Sequence, residues 1–476
     1  MASERIATGV AGLDEVLHGG LLPRRAYLVR GAPGTGKTTL GLHFLTAGAA
    51  AGEATLLISL DEPEEQLRDN ATRLGFDLSR ISLLDLSPTP EFFTQVETYD
   101  LFAPAEVERE PLAKTITARV EALQPQRIFI DAMTQLRYLA PDPYQFRKQV
   151  RSLLRFLVRQ GATVLFSSEA SPEAPDHDLQ FLSDGILTLE MRPEGRFLHV
   201  VKFRGSDFAP GPHALRLDAR GLEVLPRLVP EVFGRPFAAD LVPSGVPELD
   251  ELLGGGLERG TVALISGPTG VGKTTLGMQF AKEAAGRGER TAVYLFEERL
   301  EALLHRCQAI GIPVHAMVER GTLAVVPVEP LRLSPDELAL RVRQEVEAQE
   351  ARLVLLDSLA GYRLALRGGD LESHLHALSR YLKNMGVTTL LVNETEAITG
   401  DFQATEAGLS HLADTLLFLR YLEIDGELRR AIGVLKKRLG DFEKTLREFT
   451  ITRYGLRVGP PLRHLRGILS GLPQGT

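Results

Sequence analysis

One pattern occurs twice in this chain, and the repetition constrains the fold more than any other feature. Residues 31–39 are GAPGTGKTT and residues 267–275 are GPTGVGKTT, so the two copies lie 236 residues apart. Both follow a short apolar run and have the form G-x-x-x-x-G-K-[ST], which surrounds nucleotide phosphates when it joins a strand to a helix. The chain is therefore expected to contain two P-loop domains.

The repetition continues downstream of each P-loop. Leu60-Asp-Glu corresponds to Phe296-Glu-Glu, again 236 residues apart. Agreement between separate motifs in one register indicates a duplicated domain. Between the halves, residues 225–241 contain three prolines and no clean periodicity, which is typical of a linker. We predict domains at residues 1–232 and 233–476.

Short apolar runs alternate with helical periodicity in both halves, and this alternation predicts the fold class. A run of strand length precedes each P-loop, and a helical stretch follows it. Strands separated by helices form parallel βαβ units, so each half is predicted to be an α/β domain with a mostly parallel, doubly wound sheet. The last strands of the halves, near residues 197–203 and 429–435, are predicted as antiparallel additions.

Composition excludes several classes of protein. The net charge of −8 argues against a protein that coats nucleic acid, because such a protein needs a basic face. The single cysteine, Cys307, allows no intramolecular disulfide, which is typical of a reducing compartment. No uncharged apolar run reaches the ~18 residues that cross a bilayer, and the start does not resemble a secretory signal. We expect a cytoplasmic protein with neither a membrane nor a nucleic-acid partner.

The two P-loops supply the candidate nucleotide-binding residues. Backbone N–H groups of such a loop form an anion-binding nest at the N-terminus of the following helix. Lys37 and Lys273 are expected to reach the β- and γ-phosphates of ATP. The full predicted set is Gly31, Pro33, Gly34, Thr35, Gly36, Lys37, Thr38 and Thr39 in the first half, and Gly267, Thr269, Gly270, Val271, Gly272, Lys273, Thr274 and Thr275 in the second.

A magnesium site is predicted beside each P-loop. The hydroxyls of Thr38 and Thr274 are the P-loop ligands expected for Mg²⁺. Asp131 and Asp357 end apolar strands further along the chain, where P-loop enzymes use an aspartate to hold the same ion. An aspartate that only caps the next helix would have the same pattern, but the nearby P-loops favour the metal site.

Two acidic pairs are the candidates for the catalytic base. Asp61-Glu62 and Glu297-Glu298 follow the strand after each P-loop helix. The carboxyl end of such a strand faces the ligand crevice of an open α/β sheet. Hydrolysis needs a carboxylate that orients or deprotonates the attacking water. The matching positions favour this function over solvated loop charges.

Two basic pairs occur late in each half. Lys202 and Arg204, like Lys436 and Arg438, stand two residues apart near the end of a predicted strand. Residues two apart on a strand share a face, so each pair is able to clamp a γ-phosphate and stabilise charge during its transfer. A solvent-facing sheet edge, where lysine discourages strand pairing, explains the same spacing. Spacing alone does not decide between the two.

Together these motifs resemble the KaiC family, the RecA-like double ATPases of bacterial circadian clocks. The resemblance covers nearly the whole chain. Besides the P-loops and acidic pairs it rests on Ser183-Asp184, Lys202-Phe-Arg204-Gly205, the segment from Ala413 to Glu427, Lys436-Lys-Arg438 and Leu446-Arg-Glu-Phe449. The closing segment is not expected in a generic RecA-type recombinase.

The resemblance implies two tandem RecA-like domains in a two-tiered hexameric ring, with ATP between neighbouring subunits. Each P-loop would then be served in trans by the next subunit's basic pair. The N-terminal tier would be mainly an ATPase, and the C-terminal tier would also be a serine/threonine kinase that modifies the adjacent subunit. The implied cofactors are ATP and Mg²⁺. The implied partners are other copies of this chain and a KaiB-like or other signalling protein.

Three features depart from the family pattern. The phosphoacceptor pair falls on Ser410-His411, and a histidine offers no hydroxyl, so one phosphosite at Ser410 is expected. The chain ends at Thr476 without the tail that binds KaiA in clock members, so KaiA is not expected as a partner. Asp61 replaces the first glutamate of the family's Glu-Glu pair, which leaves Glu62 an equal candidate for the base.

Two other functions stay open at this stage. A nucleotide-gated scaffold that docks signalling partners needs the P-loops but no kinase activity. A DNA-handling RecA relative needs basic loops after the strands that end at Asp131 and Ser168, yet residues 169–173 are acidic (EASPE). We expect foremost an ATPase with serine autokinase activity in a signalling or clock-related role.

Overall fold

The chain folds as two compact units. The computed structural model describes residues 5–88, 104–138, 140–169, 175–366, 370–395, 411–424, 426–463, 465–466 and 474–475. The first unit comprises Met1–Arg227 and the second Leu228–Thr476, so the division falls slightly before the predicted one at 232. Among the helices of the described residues, none is both long and apolar enough to cross a membrane.

The first unit alternates strands and helices. Its strands are β1 (Ala26–Gly31), β2 (Thr55–Ser59), β3 (Ser82–Asp85), β4 (Arg127–Asp131), β5 (Thr163–Glu169), β6 (Gly185–Arg192), β7 (Gly195–Phe203), β8 (His213–Asp218) and β9 (Gly221–Leu225). Its helices are α1 (Leu13–Val16), α2 (Lys37–Ala50), α3 (Glu64–Arg73), α4 (Pro104–Leu123), α5 (Pro143–Arg159) and α6 (His177–Leu182), with a 3-10 helix at Met133–Arg137.

These strands form one nine-stranded sheet in the order β3-β2-β4-β5-β1-β6-β7-β8-β9. The first six strands in that order run parallel, and the last three join them antiparallel. β1 is central, with β5 on one side and β6 on the other. The loop after β1 therefore opens at the carboxyl edge of the sheet, where open α/β sheets bind ligands.

Helices cover both faces of this sheet, which explains why its central strands are continuously apolar. Alternate residues of a strand point to opposite faces. Tyr27 and Val29 of β1 join a core that includes apolar residues of α2, whereas Ala26 and Leu28 join the core on the other face. A strand buried on both faces has no polar alternation.

The second unit has its own strands and helices. Its strands are β10 (Leu241–Val242), β11 (Leu257–Glu258), β12 (Val262–Gly267), β13 (Thr291–Leu295), β14 (Leu323–Pro327), β15 (Leu353–Asp357), β16 (Thr388–Glu394), β17 (Thr415–Ile424), β18 (Glu427–Lys437), β19 (Arg447–Thr452), β20 (Gly455–Pro461), β21 (Leu465–Arg466) and β22 (Gln474–Gly475). Its helices are α7 (Pro247–Leu252), α8 (Lys273–Gly286), α9 (Leu300–Ala309), α10 (Val314–Glu319), α11 (Pro335–Glu347), α12 (Leu359–Ala365) and α13 (Leu371–Asn384), with a 3-10 helix at Pro230–Val232.

The second unit repeats the first strand for strand. Its main sheet has the order β14-β13-β15-β16-β12-β17-β18-β19-β20, and β10-β11 and β21-β22 form two small ribbons. β12 lies between β16 and β17, as β1 lies between β5 and β6. The prediction of two α/β domains with mostly parallel sheets is confirmed.

The segment before β10 packs on helix α13 of the second unit. The rings of Phe233 and Tyr381 meet edge to face, with centroids 5.2 Å apart. The Asn384 side-chain amide donates to the Pro230 carbonyl at 2.9 Å. Arg380 forms an ion pair with Glu231 at 3.1 Å. This segment thus covers part of the helix.

Candidate functional site

Both P-loops contain positions that only glycine fills. Gly36 precedes α2 with φ 106°, and Gly272 precedes α8 with φ 117°, both in the left-handed region that glycine tolerates. A Cβ on Gly31 would lie 2.4 Å from a carbonyl oxygen of β6, and one on Gly267 would lie 2.5 Å from a carbonyl oxygen of β17. The absence of these side chains lets the start of each P-loop pack closely against the neighbouring strand.

The remaining P-loop residues divide into an inner and an outer set. Buried residues anchor each loop; they are Thr35, Thr39, Val271 and Thr275. Exposed residues form its rim; they are Pro33, Gly34, Thr269 and Gly270. The Thr35 hydroxyl donates to the Ala32 carbonyl at 2.8 Å, which closes the first loop on itself.

Both P-loop lysines are folded into their loops. The Lys37 ammonium donates to the carbonyls of Gly31 and Ala32 at 3.0 and 3.1 Å, and Lys273 donates to the Pro268 carbonyl at 2.8 Å. Burial lowers the pKa of both lysines, and nearby carboxylates oppose that effect. Each lysine is thus a buried cation bonded to carbonyls, a site that suits a phosphate.

Each predicted magnesium pair is in contact. The Thr38 hydroxyl donates to Asp131 at 2.6 Å, and the Ser167 hydroxyl donates to the other oxygen of that carboxylate. Thr274 donates to Asp357 in the second unit. Burial raises the pKa of Asp357, because desolvation disfavours the charged carboxylate, and the Thr274 hydrogen bond opposes that effect. Hydroxyl and carboxylate oxygens are ligands that Mg²⁺ prefers, so both pairs fit that ion.

In the first acidic pair the two carboxylates have different surroundings. Asp61 accepts a hydrogen bond from the Gln135 side chain at 3.1 Å. Burial raises the pKa of Glu62, and the carboxylates of Asp131 and Asp61 raise it further. Glu62 therefore lies within the electrostatic field of the magnesium pair. A carboxyl with a raised pKa is better suited to accept a proton.

In the second acidic pair both carboxylates have a side-chain partner. Glu298 forms an ion pair with Arg306 at 2.7 Å. Glu297 accepts a hydrogen bond from the Ser358 hydroxyl at 3.1 Å, and its charge acts on Lys273. Ser358 directly follows Asp357, and the charge of Glu298 raises the pKa of Asp357, so both acids lie beside the magnesium pair of this unit.

Sequence reasoning missed one carboxylate in each unit. Glu169 at the end of β5 acts electrostatically on Lys37, and Glu394 at the end of β16 acts on Lys273. Both strands neighbour the strand that leads to the P-loop. Their matching strand-end positions in the repeat were the signal that would have identified them.

The basic pairs lie near the amino ends of the parallel strands in each sheet, whereas the P-loops lie at the carboxyl ends. Lys202 donates to the carbonyls of Gln180 and Ser183 at 2.9 and 2.6 Å. Arg204, just beyond β7, lies 3.8 Å from Asp184. Asp184 also accepts a hydrogen bond from the backbone N–H of Ala26, the first residue of β1. The pair thus lies at the amino end of β1.

The second unit repeats this arrangement. Lys436 donates to the Ala413 carbonyl at 2.8 Å, and Arg438 lies 3.6 Å from Asp414. Asp414 accepts a hydrogen bond from the backbone N–H of Val262, the first residue of β12, at 2.9 Å. A solvent-facing sheet edge does not explain two pairs that both bind the turn at the amino end of the P-loop strand.

The predicted phosphoacceptor, Ser410, lies outside the described residues. Its neighbour His411 is described: its ring lies 3.2 Å from Glu372, and its carbonyl accepts a hydrogen bond from Arg438 at 3.0 Å. The segment after Ser410 is therefore in contact with the second basic pair.

Two sheets of the same strand order, each with a P-loop at its carboxyl edge, define a class of protein with tandem RecA-like nucleotide-binding domains. The family described as "ATPase: KaiC" matches residues 6–229 and again residues 242–463. The chain therefore belongs to the KaiC ATPase family.

Several named relatives match along almost the whole chain. A "Circadian clock protein KaiC3" from Synechocystis is 28% identical over 99% of this chain and 95% of its own length. A "Circadian clock oscillator protein KaiC" from Synechococcus elongatus is 28% identical over 99% of this chain and 92% of its length. The protein of that name from Acaryochloris marina is 27% identical over 98% and 91%, respectively.

Proposed function

We propose that this KaiC-family ATPase hydrolyses ATP at interfaces between copies of itself in a hexameric ring. We further propose that its second unit transfers phosphate to Ser410. The observation that carries the proposal is the location of the basic pairs, which lie at the amino end of the strand whose carboxyl end opens into the P-loop. The relatives' circadian-clock names support a signalling or clock-related role.

The distance along the strand separates the two halves of each site. β1 has six residues, so at about 3.3 Å per residue its ends are roughly 16 Å apart. Arg204 lies beyond the amino end of β1, where its carbonyl accepts a hydrogen bond from Arg25 at 3.2 Å. Such a pair cannot touch a γ-phosphate bound in its own P-loop, so a second copy must bring it there.

In the first unit the proposed roles follow from the contacts. Lys37 binds the β- and γ-phosphates, and the P-loop N–H groups bind the remaining oxygens. Glu62 accepts the proton of the attacking water, because it is the acid next to Asp131. The neighbouring copy's Lys202 and Arg204 stabilise the charge that develops on the transferred phosphoryl group.

In the second unit we propose the same site with a protein hydroxyl as acceptor. The Ser410 oxygen of one copy attacks the γ-phosphorus, its proton passes to Glu297, and the bond to the β–γ bridging oxygen breaks to release ADP. Lys436 and Arg438 are the basic pair of this tier. Their contacts with the segment that follows Ser410 support the assignment.

Mg²⁺ is proposed at each Thr–Asp pair. Thr38 with Asp131, and Thr274 with Asp357, would hold it in the two units. When bound, the ion would neutralise charge on the phosphates. It would also balance the half-buried carboxylate of Asp357, whose pKa burial raises.

A complementation experiment tests the shared site. Arg438→Ala and Lys273→Ala subunits are prepared separately in a Glu62→Gln background, which slows the first tier, and are then mixed with Mg-ATP. Random mixing leaves about a quarter of the interfaces with both halves intact, since the contact is heterologous. We expect ATP turnover and Ser410 phosphorylation, read by mass spectrometry, to rise above the mean of the separate variants.

The control replaces the Arg438→Ala subunit with an Arg438→Ala/Lys273→Ala double variant. Every subunit in that mixture lacks Lys273, so no interface has both an intact P-loop and an intact basic pair. Activity in the first mixture but not in the control supports a shared site. No gain in either mixture would overturn the proposal, and turnover without phosphate on Ser410 would overturn its kinase part.

A further inference from the structure

A pocket lined by arginines lies on the first unit, next to its basic pair. It has a volume of about 600 Å³, and its basic residues are Arg151, Arg155 and Arg159 of α5 together with Arg204. We call these four residues the arginine pocket. The three helical arginines are spaced by four residues, so they share one face of α5. All three are exposed.

The helical arginines have no anionic partner within the described part of the chain. None of Arg151, Arg155 and Arg159 forms a hydrogen bond or ion pair there. Asp184 is the one carboxylate of the pocket lining, and it lies 3.8 Å from Arg204. Like charges spaced by four residues on a helix repel each other. The pocket therefore carries excess positive charge on a chain of net charge −8.

The second unit shows how the corresponding face is covered. Counting back from the strand that follows each helix, Arg380 corresponds to Arg155 and Lys383 to Val158. Lys383 reaches Asp414 at 2.7 Å, whereas Val158 lines the pocket of the first unit. Arg380 is paired with Glu231 of the segment that packs on α13. In the repeat, a glutamate on a protein segment occupies this face.

These contacts indicate that the arginine pocket binds carboxylates of a protein, and the proposed assembly indicates which protein supplies them. Under the proposed function, on which this inference rests, Arg204 reaches the carboxyl edge of a neighbouring copy's sheet. That edge carries the segment 61–65 (DEPEE), in which four of five residues are acidic. Asp61 and Glu65 are exposed. We infer that the arginine pocket of one copy binds the exposed carboxylates of this segment, Asp61 and Glu65, on a second copy.

Opposite charges brought together at an interface accelerate association and fix its register. The corresponding helical positions of the second unit are His376, Arg380 and Asn384. The segment before β10 already contacts Arg380 and Asn384. The electrostatic contact is therefore a property of the first tier. It makes assembly of that tier sensitive to salt, because screening weakens exposed ion pairs.

The test measures assembly by sedimentation velocity in Mg-ATP. The triple variant Arg151→Glu/Arg155→Glu/Arg159→Glu reverses the charge of the pocket at three exposed positions. Circular dichroism checks that the variant is folded. At ~0.05 M NaCl we expect it to need roughly tenfold more protein than the wild type for half assembly. At ~1 M NaCl, where the Debye length is about 3 Å, the difference should close. The matched control His376→Glu, exposed on the equivalent helix, should assemble normally.

A second change tests the partner. Adding Glu65→Lys to the triple variant should recover part of the lost assembly, because a lysine then faces the introduced glutamates. Wild-type assembly by the triple variant at low salt would overturn the inference while leaving the proposed function intact. A wild type that stays monomeric in Mg-ATP would overturn both. Normal assembly combined with lost tripolyphosphate binding would assign the pocket to a free polyanion and would also overturn it.

Discussion

At the scale of single residues, the two members of each acidic pair have different partners. Asp61 is bonded to Gln135 and Glu62 lies near the magnesium pair of the first unit, whereas in the second unit Glu298 is bonded to Arg306 and Glu297 to Ser358. Sequence alone left Asp61 and Glu62 as equal candidates for the base of the first unit. The contacts distinguish them, because a carboxylate already held by an arginine or amide is less able to take a proton.

Substitution of the acids checks this assignment. In a Lys273→Ala background, where only the first unit turns over ATP, Glu62→Gln should reduce turnover by roughly 10²-fold, the usual contribution of a general base. Asp61→Asn, the matched control, should retain most of it. Steady-state phosphate release is the measurement. A larger loss in Asp61→Asn than in Glu62→Gln would reverse the roles.

The half-buried carboxyl of Asp357 makes stability depend on pH. Burial raises its pKa, so the folded state holds this proton more tightly than the unfolded state does. Ionisation therefore costs stability as pH rises above the ordinary carboxyl range, near roughly pH 4, and the full cost remains above the raised value. Asp357→Asn should melt at a higher temperature than the wild type at pH 8, without nucleotide or Mg²⁺, and the gap should narrow towards pH 4.

Calorimetry of the ligand-free protein measures this gap. The exposed Glu301→Gln in the same unit is the matched control for removal of a carboxylate charge. An Asp357→Asn variant that melts lower than the wild type at pH 8 would contradict the argument.

At the scale of helices and strands, most of the fold could be predicted from the sequence. The P-loop helices begin at Lys37 and Lys273 as expected, because the glycine pattern and the helical periodicity agree. The order of strands could not be predicted, since it depends on contacts between distant segments. Arg30 and Asp176 illustrate this: a bidentate pair at 2.8 and 2.9 Å joins β1 to the start of α6, and no local pattern indicates it.

The residues of the candidate site were likewise predicted only in part. Local motifs predicted the P-loops, the strand-end aspartates and the acidic pairs. Glu169 and Glu394 were missed because a single acid at a strand end has no motif of its own. The basic pairs were found, but their spacing did not say at which edge of the sheet they lie. Only the antiparallel pairing of β6 with β7, and of β17 with β18, puts them at the amino end.

The contact of each P-loop helix with the sheet gives a prediction at this scale. A Cβ on Gly41 of α2 would lie 2.2 Å from the Phe129 ring, whereas one on the equivalent Gly277 would lie 2.9 Å from a Leu355 methyl group. Gly41→Ala should destabilise the first unit by about 1–3 kcal/mol through overpacking. Gly277→Ala should cost less, because leucine methyl groups move more easily than a buried ring.

Thermal unfolding measures both changes, at about 2–4 °C per kcal/mol for a domain of this size. Gly286→Ala is the control, because a Cβ there meets no atom within 4 Å. It should leave stability unchanged or slightly higher, since alanine favours the helix. Equal losses for Gly41→Ala and Gly277→Ala would show that the ring and the leucine yield equally.

At the scale of the whole molecule, duplication has preserved the scaffold and changed the surfaces. The two sheets share one strand order and both P-loops are intact. The helix that precedes the last parallel strands differs: α5 exposes arginines, whereas α13 is partly covered by the segment before β10. The halves therefore offer different surfaces to partners although they bind the same kind of ligand.

The separation of each basic pair from its own P-loop has a consequence for physiology under the proposed function. A solitary copy contains every catalytic group, yet a rigid sheet keeps the basic pair away from the P-loop, so a solitary copy hydrolyses almost no ATP. Consumption per molecule then rises with abundance until assembly saturates. A cell that doubles expression at low abundance more than doubles consumption, and one that dilutes its contents by growth switches the activity off. The rate of ATP hydrolysis per molecule thus reports how many copies of the chain the cell contains.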